Sequence, residues 1–438
     1  MMPKSPNRGN RMKRALMSTR VLIFIISVAL LVDSVASISY ADDALVLPKG
    51  TWRLWLDGIF YLPITKRFNK NGDTEDVAKD FNTTIDSSLL PLLGAFGPGA
   101  NVGSTVTSFK WDIKVVTFQP AYGVTDKLTI GVNIPYWWIK NRVNFRLDTT
   151  NATVFKNPGF ACGAPLCPAG TPGNQPVTTQ DIQDALGPGL TIGGVLIPGT
   201  GFGIKPIQTF EKNGFGDIEA GGRYQYFQSD TWRLAFTGGV RFPTGQVDDP
   251  DNLVDRGLGT GAYALLFRFG QDFVHQKPGI AAQLGVPEPG SFTVNTTFRY
   301  DLFLPDTHPL RVCSIHEPIC GTKATVHRKY GDIVEAEISG NIGLPLTGLF
   351  FTPLYKYGHA FKDHHTGSPG PDYGALNTET DFDEHIYKVG LTYSTIPLFL
   401  ENRFPLPLLA TITYRDRFAG NNNLFKSQFI EFTIAAFF

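Results

Sequence analysis

The residues best suited to covalent or metal chemistry do not converge in the sequence. Four cysteines stand in two close pairs, Cys162 with Cys167 and Cys313 with Cys320. In an exported chain each pair is read as a local disulfide, Cys162 to Cys167 and Cys313 to Cys320. His308 and His316 lie near the second pair, but neither pair has the tight spacing of a zinc site, so no metal is expected. Asp248-Asp249-Pro250-Asp251 resembles a cation-binding turn without the full calcium-loop spacing. Hydrolysis would need a serine and a histidine held by a polar partner. His385 with Ser394 or Ser339 does not form such a set, and no Gly-x-Ser-x-Gly elbow or phosphate-cradling loop with a lysine occurs. His359, His364 and His365 read as solvated loop residues. The chain is therefore read as a non-enzyme without a cofactor. A lipid hydrolase is the weaker alternative.

What recurs instead is charge in alternation with apolar residues. Arg53, Asp57, Lys110, Asp112, Lys114, Glu219, Arg223, Arg233, Arg241, Arg299, Glu335 and Glu337 each sit between apolar or small neighbours, and Arg415 and Arg417 continue the pattern around Asp416. Asp217, Arg268, Asp301 and Glu431 fit the same phase. If one face of each segment meets lipid and the other a lumen, these residues line the lumen. Their chemistry is then mutual ion pairing, because unpaired charge out of water is costly. The alternative is a constriction whose basic excess selects anionic solutes such as aromatic acids.

The elements that must carry them are strands. About twelve alternating segments are found, near 51–62, 109–115, 128–138, 217–226, 232–242, 262–273, 292–301, 332–342, 350–362, 384–396, 408–417 and 424–438. Long connections (about 63–105, 148–215, 246–259, 304–330 and 363–383) mostly alternate with short ones such as Ser229-Asp230. Those near 274–289 and 397–406 are intermediate. Long loops outside and short periplasmic turns mark an outer-membrane barrel. The prediction is an all-β, transmembrane antiparallel barrel of about twelve strands over residues 42–438. The chain ends FIEFTIAAFF, with Ile430, Phe432, Ile434, Ala436 and Phe438 on one face. That strand must pair with the first to close the barrel, and Phe438 is read as the terminal aromatic that outer-membrane assembly machinery recognises.

The N-terminus supports export. Lys4, Arg8, Arg11, Lys13, Arg14 and Arg20 precede the apolar run Val21–Val32, and Ser39-Tyr40-Ala41 fits a cleavage site, so residues 1–41 read as a signal peptide. Met12 and Met17 remain alternative starts. The whole chain has 39 basic and 39 acidic residues; removing six basic and one acidic leaves 33 against 38. This acidic excess gives no basis for a nucleic-acid partner. The expected location is the outer membrane of a Gram-negative cell, among its lipids.

Three stretches, YGVTDKLTIGVNIPY (122–136), NGFGDIEAGGRYQY (213–226) and RLAFTGGVRFPTG (233–245), resemble the family labelled "MetA-pathway of phenol degradation". These are outer-membrane transporters of aromatic or other hydrophobic compounds, so the resemblance implies uptake of such solutes. Long-chain fatty acid transporters of the same membrane carry an N-terminal hatch. Here about ten mature residues precede the first strand, so any plug is expected from a loop.

Two long loops are unusually apolar: SLLPLLGAFGPGANVG (88–103) and LGPGLTIGGVLIPGTGFGI (186–204). Such patches imply burial. Leu89, Leu90, Leu92, Leu93 and Phe96 are therefore candidates for capturing an apolar solute, the alternative being a simple lid or contact with lipopolysaccharide. Near Pro135 the alternation is read as changing phase, with a bulge or a side exit as the two outcomes. Trp137 and Trp138 are placed at the interfacial girdle. The functional expectation is passive uptake of small hydrophobic, aromatic compounds. A non-transporting surface protein that binds lipid or a partner through its loops is the alternative.

Overall fold

The computed structural model describes residues 43–155, 177–192, 195–313 and 320–438. The expected signal peptide lies outside these residues. Twelve antiparallel strands form the wall: β1 (Trp52–Tyr61), β2 (Asn101–Thr125), β3 (Leu128–Asp148), β4 (Ile218–Gln228), β5 (Trp232–Phe242), β6 (Ala264–His275), β7 (Phe292–Phe303), β8 (Ile333–Gly343), β9 (Leu349–Ala360), β10 (Phe382–Ser394), β11 (Leu408–Gly420) and β12 (Gln428–Phe437). Each pairs with its sequence neighbours, and β12 returns to β1 in a register running from Arg53↔Phe437 to Tyr61↔Phe429. Trp52 and Phe438 exchange backbone hydrogen bonds of 3.0 Å each way, so the last residue seals the seam. Closure leaves no barrel edge for lipid to solvate.

The alternation has a direct physical reading. Leu54, Leu56, Phe60, Ile130, Phe269, Phe298, Ile338, Leu391, Ile412, Phe432 and Ile434 are exposed large apolar side chains around the circumference. Their intervening neighbours Asp57, Arg268, Arg299, Glu335, Thr413 and Glu431 are buried inside. A belt of this size is stable only against hydrocarbon. Among the described residues no helix is long and apolar enough to cross a membrane.

The strands differ in length in a way that matters below. β2 and β3 have 25 and 21 residues, against 10 in β1 and 11 in β4, and project together on the extracellular side. The loops there are partly structured. A hairpin pairs 66–68 with 74–76, and a three-stranded sheet joins Asp306–Arg311, Lys323–Lys329 and His364–Gly367. Helix α1 (Thr179–Leu186) starts at a capping box between Thr178 and Asp181 and buries Ile182, Ala185 and Leu186.

Of the two expected disulfides, one falls among the described residues. One is present: Cys313 and Cys320 are joined near the tip of the three-stranded sheet. The other is not shown, because Cys162 and Cys167 both lie outside the described residues.

Candidate functional site

The lumen is divided into three tiers of different chemistry. The extracellular tier is apolar. Phe109, Trp111, Ile113 and Val115 of β2 point inward, as do Trp137 and Ile139 of β3, and all are buried. Tyr61 of β1 meets Phe429 of β12 edge-on at 5.2 Å, and Trp111 lies 5.8 Å from Phe425. The long loops complete the cluster with Ile64, Phe68, Leu93, Ile204, Ile207, Val254 and Leu258.

This inner grease corrects the expectation for the second strand. Lys110, Asp112 and Lys114 do not line the lumen; they alternate with the buried residues and face outward. The upper half of β2 lies above the membrane, where the outside is polar and the inside holds the folded loops. The same reversal explains Pro135. Parity does not change there: Ile130, Val132, Ile134, Trp138, Arg142 and Arg146 lie on one face throughout β3. Only the surroundings of that face change, from lipid to water. Of the predicted girdle pair, Trp138 is outward and Trp137 is buried inside.

A cavity of about 60 Å³ opens within this tier, lined by Phe81, Ile85, Leu89, Leu90, Phe145, Ile182, Leu186, Ile207 and Leu253. Two of the five candidate capture residues therefore line it. Leu93 is buried beside it, Phe96 packs edge-on to Phe155 at 5.0 Å, and Leu92 is exposed. An engineered core cavity of roughly 150 Å³ takes benzene, so a ring enters here only as the loops part. Two polar groups break the apolar wall. The side-chain amide of Asn141, fully buried, and the indole Nε1 of Trp111 have no hydrogen-bond partner among the described residues. They sit on directly opposed residues of β2 and β3. Period-2 patterning would have placed Asn141 on the inner face, but nothing local shows that its neighbours are apolar.

Below lies a charged waist. Arg241 reaches Glu219 at 2.7 Å and Asp301 at 3.1 Å. Arg299 holds Asp301 at 2.6 Å and Glu335 at 3.4 Å. Lys356 continues to Glu335 at 2.7 Å and Glu384 at 3.2 Å, and Arg417 ends the run on Glu384 at 2.8 Å. Four bases alternate with four acids along this run, and Arg268 adds a longer contact to Glu219 at 3.8 Å. Arg415 stands over the Phe429 ring at 5.1 Å, and Arg53 over Trp55 at 5.0 Å. Asp57 accepts from Trp55, Gln119 and Thr433. Glu337 is half-buried on the inward face. Lys356, absent from the sequence-based set of lining residues, is central here; its strand was recognised, but one lysine among aromatics gave little signal.

The periplasmic tier is closed by the N-terminal segment, contrary to the expectation that any plug comes from a loop. Asp43 pairs with Arg223 at 2.8 Å, Ala44 N–H donates to Asp272 at 2.9 Å, and Leu47 N–H donates to Thr129 at 2.7 Å. A Cβ on Gly123 would stand 2.1 Å from the Pro48 carbonyl, so glycine is required for this entry. The connection after β6 also folds inward: Ala282 carbonyl accepts from Arg233 at 3.2 Å. Leu47 and Val286 pack with Trp55, Phe350, Ile396 and Phe437. A second cavity, about 170 Å³, lies above this seal between Asp43, Arg53, Gln119, Arg223 and Arg268.

The extracellular lid is latched by charge. Arg311, 5 % exposed, donates to the carbonyls of Pro250, Phe202, Cys320 and Gly203 and to the Asp251 carboxylate. Of the four cysteines, then, Cys313 and Cys320 brace this latch, whereas Cys162 and Cys167, expected to staple a second loop, are not among the residues described. Lys323 also binds Asp251 and Lys205 binds Asp249, so the DDPD turn is occupied by protein cations. Burial works to raise the Asp251 carboxyl, but hydrogen bonds from Lys323 and Arg311 outweigh it and hold it low. Asp363 is the opposite case: burial pushes it up to about 7, only partly offset by the Gly331 N–H. His365 is buried against Asn377 and depressed mainly by burial, and His359 pairs with Asp383, so neither is a solvated loop residue. His385 faces outward and shares a hydrogen bond with Tyr355, whereas Ser339 and Ser394 face inward.

This is the architecture of an outer-membrane barrel with a partitioned lumen. No family model matches the chain, and no curated protein matches it. Among solved structures it is similar to the COG4313 outer membrane channel from Pseudomonas putida F1, at 10% identity and TM-score 0.50, over 92% of this chain and 100% of that one. The Ralstonia pickettii toluene transporter TbuX (11% identity, 89% and 90% covered, TM-score 0.33) and a Pseudomonas aeruginosa FadL homologue (10%, 89% and 90%, 0.30) are more distant. At 10% identity the likeness to the COG4313 channel concerns the fold alone, that of an outer-membrane barrel.

Proposed function

We propose that this protein mediates passive uptake of small hydrophobic compounds, aromatic ones among them, across the outer membrane. The observation that carries this reading is the apolar tier inside the lumen, with its cavity between the 81–90 segment and α1. Water-filled porins have polar lumens, and a lumen lined by Trp111, Trp137 and Phe425 suits an apolar guest. Similarity to a channel supports the reading at the level of fold. The unpartnered Asn141 amide and Trp111 Nε1 favour a ring bearing one hydroxyl or carbonyl, since each buried polar group gains most from a partner in a dry site.

An apolar solute does not descend through the waist, where it would displace paired charges. The wall offers another route. The β3–β4 ladder thins between Asn133↔Glu219 and Tyr136↔Phe215 to one backbone hydrogen bond, from the Gly216 N–H to the Pro135 carbonyl at 2.9 Å. Residues 210–215 pair with β3 on one side only. The other side is covered by the loop after β5, whose Leu258 packs at Gly214 and whose Gly245 and Thr260 N–H groups hold the Asp217 carboxylate. Release of that loop opens the chamber sideways into lipid. Joining Gly214→Cys to Leu258→Cys by a disulfide should stop uptake of radiolabelled toluene or phenol, with recovery on reduction. Deleting 88–103 should reduce uptake while the barrel stays heat-modifiable. Unchanged uptake in both variants sinks the proposal. The second reading, a surface protein that binds through its loops, is favoured by the closed periplasmic tier; it requires probe binding without any uptake.

A further inference from the structure

The outer face of β2 and β3 above the hydrocarbon belt takes no part in the chamber. Lys110, Lys114, Lys140, Arg142 and Arg146 all project from it, away from the barrel interior. Three acids oppose them: Asp112, which pairs with Arg142 at 2.9 Å, Glu211, which pairs with Lys140, and Asp148, whose carboxylate is stabilised in part by Arg146. Lys110 and Lys114 have no ion-pair partner among the described residues. Lys114 stands in register with Phe60 on β1 and Trp138 on β3, so the basic strip begins where the aromatic girdle ends. At roughly 3.3 Å per residue, Lys110 lies about 13 Å further along its strand, and Arg146 about 26 Å beyond Trp138. Elsewhere around the rim large apolar residues face outward, among them Phe242, Leu304, Phe361 and Phe418. Cations such as Lys362 and Lys329 also occur elsewhere on this side, but five outward ones stand together on this hairpin.

We propose that this strip is a docking surface for the phosphate groups of outer-leaflet lipopolysaccharide. Those phosphates are fixed just above the acyl chains, at the height where the strip starts. Long, half-exposed cations on a rigid hairpin match a lattice of fixed anions, and the five cations exceed the three acids by two. The inference rests on placement in the outer membrane and not on transport.

The test uses the full chain in a neutral detergent, with fluorescent bisphosphorylated lipid A as probe. Dephosphorylated lipid A and phosphatidylglycerol serve as comparison lipids. The variant Lys110→Gln/Lys114→Gln/Arg146→Gln removes three charges without breaking a wall contact. Its lipid A affinity should fall about 100-fold at low salt, and the salt dependence should flatten. Lys110→Arg/Lys114→Arg should bind as the parent does, and heat-modifiable migration should show both variants folded. Parental affinity in the triple variant overturns the proposal. So does equal binding of dephosphorylated lipid A, or equal competition by phosphatidylglycerol, which would make the strip a general anionic surface.

Discussion

Replacing Arg311 by alanine should unlatch the lid while leaving the barrel intact. The guanidinium donates to four carbonyls, three of them at 2.8 Å, and to the carboxylate of Asp251. Truncation strands those acceptors in a buried site. Removing one partner of a buried charge pair costs about 3–5 kcal/mol. Asp251 keeps Lys323, which is itself largely exposed, so the lower figure applies. About 3 kcal/mol corresponds to a roughly 150-fold shift in the local opening equilibrium. The assay is amide hydrogen exchange in detergent. The Lys205 N–H bonds the Asp251 carbonyl at 2.7 Å, and the Gly203 N–H bonds the Gly187 carbonyl at 2.8 Å. Both should exchange about two orders of magnitude faster. The Trp52 and Phe438 amides at the closure seam should not change, because no lid contact reaches them. Arg311→Lys should behave much like alanine, since one ammonium cannot span five acceptors. If exchange at 203 and 205 stays within about threefold of the parent, the latch is not held by Arg311 and the argument fails.

Three further outcomes follow from the same geometry. Asp363 carries a carboxyl raised to about 7, so the stability it contributes is complete below the ordinary carboxylate range and lost as pH rises through 7; Asp363→Asn should flatten the pH dependence of protease resistance in the 306–329 sheet, and an unchanged slope would exonerate this group. Asn141→Leu should raise resistance to urea unfolding in lipid vesicles by about 1–2 kcal/mol, because it removes an unpartnered buried amide, and it should weaken binding of phenol more than of toluene; destabilisation would mean that the amide is satisfied. Deleting residues 43–48 removes the contacts to Arg223, Asp272 and Thr129 and should raise single-channel ion conductance several-fold, whereas unchanged conductance would place the barrier in the waist.

The amino-acid sequence alone determined the wall. A strand's side chains alternate with a period of two whatever their surroundings, so runs such as Thr293, Asn295, Thr297 and Arg299 against Val294 and Phe298 define strand and phase together, although the segments expected at 109–115 and 128–138 extend to Asn101–Thr125 and Leu128–Asp148. The terminal strand's apolar face and the short turns then require closure. What sequence could not supply was which medium each face meets. In the lower half of the barrel the outside is lipid and the inside polar. In the upper halves of β2 and β3 the loops fill the inside with Phe68, Leu93 and Leu258 and the outside is water. Identical alternation therefore carries opposite meaning, and Lys110 and Lys114 change sides without any shift of register. The plug was hidden for a related reason: Asp43 and Ala44 gain their role only from Arg223, Asp272 and Gln225, far away in the chain. Parity is a local property of the backbone, whereas inside and outside belong to the closed barrel and to whatever folds back into it.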